Sequence, residues 1–143
     1  MRSSPTVRRA VFLVTAIYWL GIFTLTHLPA RHLPQVKVND KIEHLLAYGG
    51  LGTLLFISLW IVRPQWTHIG VIVLAIGMIY GAIDEWLQAL PFVNRDCDFL
   101  DWTADTTALA IVAVVMTFVR SRLSAPAPPA PVENGERTDE QQR

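Results

Sequence analysis

An all-α membrane protein, four spans threaded up and down with both termini cytoplasmic, is the architecture this sequence predicts. Three observations carry it. With 52% hydrophobic residues and a mean hydropathy of +0.35 over 143 residues, the chain is too apolar for a soluble domain of its size. The apolar residues gather into four blocks, each of about the length that crosses a bilayer core. The charges lie between and at the ends of those blocks. Together these predict one membrane domain over residues 1–119, with spans near 10–28, 42–62, 69–90 and 102–119, and a disordered cytoplasmic tail over 120–143.

Residues 10–28 carry no charge before His27. Arg2, Arg8 and Arg9 ahead of this run imitate a secretory signal, but the run exceeds a usual signal core and no small-x-small cleavage site follows. It reads as a retained span. Tyr18 and Trp19 fall mid-span, where they predict packing against other helices. Pro29 and Pro34 break the chain into a short polar loop, 30–39.

The second block, 42–62, opens with Asn39 or Asp40 as cap and Glu43 near the third helical position, the pattern of a capping box. Asp40, His44 and Tyr48 are four residues apart and line one helical face. Gly49, Gly50 and Gly52 predict close approach of a neighbouring helix. Arg63-Pro64 ends the span and starts a tight turn.

The third block, 69–90, has its own glycine flank in Gly70, Gly77 and Gly81. Its last turns carry Asp84, Glu85 and Gln88 on overlapping faces, and Pro91 closes it. The connection 92–100 mixes charge with apolar residues, as an interfacial loop does. In the fourth block, Asp98, Asp101 and Asp105 recur at three and four, one stripe if the helix begins at or before Asp98. Arg120 and Arg122 stop it. The tail from 124 is rich in Pro, Ala, Glu and Gln and has no apolar periodicity.

The balance of 12 basic and 12 acidic residues gives zero net charge and no basic face, which argues against nucleic acid. Cys97 is the only cysteine, so an intrachain disulfide and a multi-thiolate metal site are both excluded. Four spans put both termini on one side, with Arg2, Arg8, Arg9, Arg63, Arg120 and Arg122. The other side has Arg31, Lys37, Lys41 and Arg95. The positive-inside rule then makes the termini cytoplasmic. Apart from Glu133, Glu136, Asp139 and Glu140 in the tail, every Asp and Glu falls on the opposite, extracytoplasmic face. The polar ends of three helices converge there. Ionisable groups at membrane depth are expensive unless paired or wet, which makes this face the candidate site.

Two stretches read together resemble the VanZ-like family of bacterial membrane proteins. One is D-K-x-x-H-x-x-x-Y-x-x-L-G, here Asp40, Lys41, His44, Tyr48, Leu51 and Gly52. The other is E-x-x-Q, a proline, an arginine, then D-x-x-x-(N/D), here Glu85, Gln88, Pro91, Arg95, Asp101 and Asp105. The match covers roughly 10–119. The chain departs from the pattern in carrying Asp105 where Asn is frequent and Ala108 where Gly is frequent. The resemblance implies a multi-span protein of the bacterial cytoplasmic (inner) membrane, in a family whose namesake is linked to reduced susceptibility to teicoplanin. It supplies no mechanism.

The expected ligand-binding set is therefore Asp40, Lys41, His44, Tyr48, Glu85, Gln88, Arg95, Asp101 and Asp105. Three functions fit it. A cell-envelope or glycopeptide-tolerance accessory protein would use these residues to bind a lipid-linked or envelope ligand. An intramembrane enzyme would use His44 and Glu85 as acid and base, with Asp101 orienting the imidazole. A structural assembly partner would use them only to satisfy one another, as a cap, an interfacial imidazole and buried pairs do. Asp98, Asp101 and Asp105 with His44 and Glu85 are the right types for a divalent ion. No HExxH, paired-His or Cys spacing supports one, so no metal or cofactor is assigned. The remaining partner is the bilayer itself.

Overall fold

The computed structural model describes residues 4–28, 40–91, 93 and 98–124. Among them are four α-helices and no strand: α1 (Pro5–His27), α2 (Asp40–Val62), α3 (Ile69–Gln88) and α4 (Phe99–Leu123). Each is long and apolar enough to cross a membrane. The loop 30–39, the tail from 125, and Arg2, Arg31, Lys37, Arg95 and Cys97 lie outside the described residues.

The helices correspond to the four apolar blocks, and the ends differ for local reasons. α1 starts at Pro5, five residues ahead of the expected boundary. Ser4 accepts from the Val7 amide at 3.3 Å and proline occupies the first turn, so the arginines Arg8 and Arg9 are helical. α2 starts at Asp40, with Asp40 and Glu43 in its first turn, where acidic groups oppose the helix dipole. α3 stops at Gln88, two residues before the expected end. α4 starts at Phe99 because Asp98 caps it, accepting from the Leu100 amide at 2.8 Å. At its other end α4 runs on to Leu123, beyond the expected stop at 119. Arg120 donates to the carbonyls of Trp66 at 2.5 Å and Pro64 at 2.7 Å, tying this last turn to the α2–α3 turn.

Side-chain pairings set the threading. Thr15 of α1 meets Ser58 of α2 at 2.9 Å, and Tyr18 donates to the Ala47 carbonyl at 3.2 Å, so α1 and α2 are antiparallel. Gly70, Gly77 and Gly81 of α3 face Thr117, Leu109 and Trp102 of α4 in reverse order, another antiparallel pair. His44 and Gly52 of α2 face Asp105 and Leu109 of α4, so these two helices run parallel. α4 packs against both α2 and α3, which also touch each other. α1 rests on the far side, mainly against α2, and does not pack on α4.

The core follows from that arrangement. Leu109 is fully buried between Gly52 and Gly77. A side chain at Gly77 would run into the Leu109 isobutyl group, so glycine is what lets α3 and α4 close on it. Tyr48, Leu51, Phe56, Ile69 and Val73 complete the packed centre. Trp19, expected to pack against other helices, sits edge-to-face on Tyr80 at 5.1 Å. Outward-facing Leu13, Ile17, Leu20, Leu46, Val71, Ile79 and Val114 stay exposed in the isolated chain, as lipid-facing residues do. Arg8, Arg9, Arg63, Arg120 and Arg122 lie at one end of the bundle. At the other, among the described residues, are Asp40, Glu43, Asp84, Glu85, Asp98, Asp101 and Asp105.

Candidate functional site

The acidic end is assembled from the last turn of α1, the first two turns of α2, the last turns of α3 and the start of α4. Helical spacing puts the right residues inward. His44 and Tyr48 are both buried, their rings nearly parallel at 6.4 Å, and Tyr48 stacks in turn on Tyr80 at 5.8 Å. Asp40, one turn nearer the helix start, remains exposed.

His44 organises the centre. Its Nδ1 donates to Oδ1 of Asp105 at 2.9 Å, while Nε2 lies 3.8 Å from Oδ2 of Asp101. The carboxylate that holds the imidazole is thus Asp105, on the turn after Asp101. The sequence expectation gave the orienting role to Asp101, which is engaged elsewhere. Lys41 donates to Asp101 and, at 2.6 Å, to Oδ2 of Asp98. Asp98 lies ahead of α4, and the Lys41 ammonium holds its carboxyl below the usual carboxylate range. Lys41 therefore staples the starts of α2 and α4 together at the rim.

Glu85 approaches from α3. Its Oε2 accepts the backbone amide of Asp98 at 3.0 Å, anchoring the α3–α4 connection. Its Oε1 is buried and, among the described residues, receives no hydrogen bond; the same holds for Asp105 Oδ2 and the Tyr48 hydroxyl. One ligating atom each from His44, Glu85 and Asp105 lie within 4.8 Å of one another, and all three residues are buried. A second group, Asp40, His44 and Asp101, is equally tight but includes the exposed Asp40.

Gln88 belongs to a separate network around Asp84. The Asp84 carboxylate accepts from Gln88 Nε2 at 3.0 Å, Thr26 Oγ1 at 3.1 Å and the Tyr80 hydroxyl at 3.3 Å. His27 Nδ1 stands 3.7 Å away while donating to the Phe23 carbonyl at 2.8 Å. This cluster fastens the end of α1 to α3. Thr26, His27 and Tyr80 were outside the expected set. The four-residue spacing of Tyr80, Asp84 and Gln88 was a legible signal for part of it; the contribution of α1 was not. Arg95, expected in the site, lies outside the described residues.

Two clefts reach the cluster. One, of about 260 Å³, runs between α1 and α2, with Ile22, Leu25 and Ala47 as apolar walls and Asp40, Glu43, His44 and Tyr48 at its polar part. The other, of about 370 Å³, lies between α3 and α4 and is bordered by Glu85 and Asp98 beside Phe99 and Trp102. Trp102 is held by its indole N–H, which donates to the Met78 carbonyl at 3.1 Å. Comparison of the chain with protein-family models, with curated proteins and with solved structures finds no match.

Proposed function

We propose that this is a cell-envelope accessory protein of the bacterial inner membrane that binds an amphiphilic, lipid-linked ligand at the acidic end of the bundle. The single observation that carries the reading is the α1–α2 cleft. It passes from apolar walls at Ile22, Leu25 and Ala47 to His44, Asp40 and Glu43, the gradient an amphiphile needs for its chain and its head group. Asp40, Lys41, His44, Tyr48, Glu85, Asp101 and Asp105 would serve the head group. The resemblance to the VanZ-like family supports an envelope role, and links it to glycopeptide tolerance. Five arginines at the opposite end, against Lys41 among the described residues at the acidic rim, support cytoplasmic termini and an extracytoplasmic site.

The test is co-purification. Wild-type protein extracted in a mild detergent should carry an envelope amphiphile detectable by native mass spectrometry. Ile22→Trp, which fills the cleft, and His44→Ala should lose it while remaining helical and membrane-inserted. Retention of the same molecule by both variants, or its absence from wild type, overturns the reading.

A second reading draws on the His44–Asp105 pair. An imidazole held through Nδ1 by a buried carboxylate keeps Nε2 for proton transfer, with Glu85 as the complementary acid. Turnover of a purified envelope lipid with a bell-shaped pH–rate profile, abolished in His44→Gln, would favour this enzyme over a binding protein.

A further inference from the structure

We propose that His44, Glu85 and Asp105 form a binding site for one divalent cation of the zinc or manganese class. The inference concerns the buried centre of the acidic end and holds whether or not an amphiphile occupies the α1–α2 cleft.

The ligand set comes from three helices. α2 supplies an imidazole and α3 and α4 a carboxylate each; their relative exposures are 8%, 4% and 1%. Ligating atoms of the three lie within 4.8 Å of one another. Metal–nitrogen and metal–oxygen bonds of about 2.0–2.2 Å place tetrahedral ligand atoms about 3.3–3.6 Å apart. Side-chain rotations that draw the trio in to that spacing would close it around an ion.

The second observation is independent of the clustering. Glu85 Oε1 and Asp105 Oδ2 are fully buried carboxylate oxygens that receive no hydrogen bond among the described residues. Buried polar atoms are nearly always satisfied, and an acceptor left over in a membrane bundle calls for a cation or a donor. Among the described residues, the ammonium of Lys41 is hydrogen-bonded to Asp98 and Asp101 at the rim, and Asp101 belongs to the second acidic group rather than to this one. Asp105 Oδ2 is also close-packed: a methyl group on Gly81 would come within 3.5 Å of it and of the Tyr48 ring. Glycine there keeps the carboxylate and the phenol at the α3 backbone.

The donor chemistry selects the ion. One imidazole nitrogen with two carboxylate oxygens suits zinc or manganese. It is too nitrogen-rich for magnesium and too small a shell for calcium, which takes six to eight oxygens. Three protein ligands leave coordination positions for water or a ligand oxygen. Glu85 borders one cleft and His44 the other, so the ion has a way in.

The experiment uses the full-length protein in detergent, stripped with a chelator and titrated calorimetrically with Zn²⁺ and with Mn²⁺. One equivalent per chain is expected, with at least tenfold weaker binding in Glu85→Gln and in Asp105→Asn and less than threefold change in Asp40→Asn. Co²⁺ substitution should give visible ligand-field bands in wild type and Asp40→Asn, and lose them in His44→Gln. Because wild type alone must bind one equivalent, poor folding of a variant does not shield the proposal. No saturable binding of either metal by wild type overturns it. So does binding that Asp40→Asn weakens tenfold while Glu85→Gln and Asp105→Asn leave it unchanged.

Discussion

His44 and Asp105 stand 61 residues apart in the chain and 2.9 Å apart in space, Nδ1 donating to Oδ1 across the parallel helices α2 and α4. Both are buried, which shields the pair from competition with bulk water. Asp105→Leu should strand the imidazole N–H and cost about 1–3 kcal/mol of stability. Asp105→Asn keeps an acceptor in place and should cost less than about 1 kcal/mol. Unfolding by SDS titration in mixed micelles measures both. Equal losses would mean that the hydrogen bond is not what holds the pair.

Asp84 gathers three donors from two helices, Thr26, Tyr80 and Gln88. Removing the shared acceptor takes a partner from all three at once, although Thr26 keeps its bond to the Phe23 carbonyl, whereas removing one donor leaves the others paired. Asp84→Ala should therefore destabilise by about 2–4 kcal/mol. Thr26→Val should cost about 0.6 kcal/mol, the usual worth of an interhelical hydrogen bond in a bilayer. Protease accessibility of the α1 end should rise in the first variant and stay near wild type in the second.

Leu109 fills the space left by two glycines, one on α2 and one on α3. Leu109→Ala should cost about 2–5 kcal/mol through lost contacts and a residual cavity. Gly77→Ala should be harmful in wild type because its methyl meets the Leu109 side chain. In the Leu109→Ala background the same change should be neutral or restorative, since the methyl enters the space just vacated. A double-mutant cycle reads the coupling, and additive effects would contradict the packing.

The Lys41–Asp98 pair lies at the rim, and its pH dependence has a defined sign. A carboxyl held low in the folded state stabilises fully above its unfolded value, about 3.9, and loses that contribution as pH falls through the folded value. The melting-temperature difference between wild type and Lys41→Met should be flat from pH 8 to about 5 and shrink below about 4. It should also shrink with added salt, because Asp98 is partly exposed. A difference that grows on acidification would rule out this pair as its source.

The four spans were legible because bilayer crossing depends on length and composition, which are properties of contiguous residues. Charge segregation was legible for the same reason: with four spans, each connection has an assigned side. The caps Ser4 and Asp98 act locally, but they were not read from the sequence and moved the starts of α1 and α4 ahead of the expected boundaries. Boundaries drifted where a distant group intervened, as when Arg120 reached the carbonyls of Pro64 and Trp66 and carried α4 to Leu123.

What the sequence determined by itself is which residues share a helical face and which end of the bundle they occupy. Period 3.6 puts His44 with Tyr48, and Asp101 with Asp105, on the same side of their helices. Only the tertiary structure decided which partner each one meets. Asp101 and Asp105 are one turn apart on one stripe, and the depth at which α4 docks determines that His44 takes Asp105 while Lys41 takes Asp101. That depth follows from Leu109 seating between Gly52 and Gly77, and from Gly70 and Gly81 against Thr117 and Trp102. A helix carries its face in its own periodicity, but its axial register against a neighbour is a property of the pair.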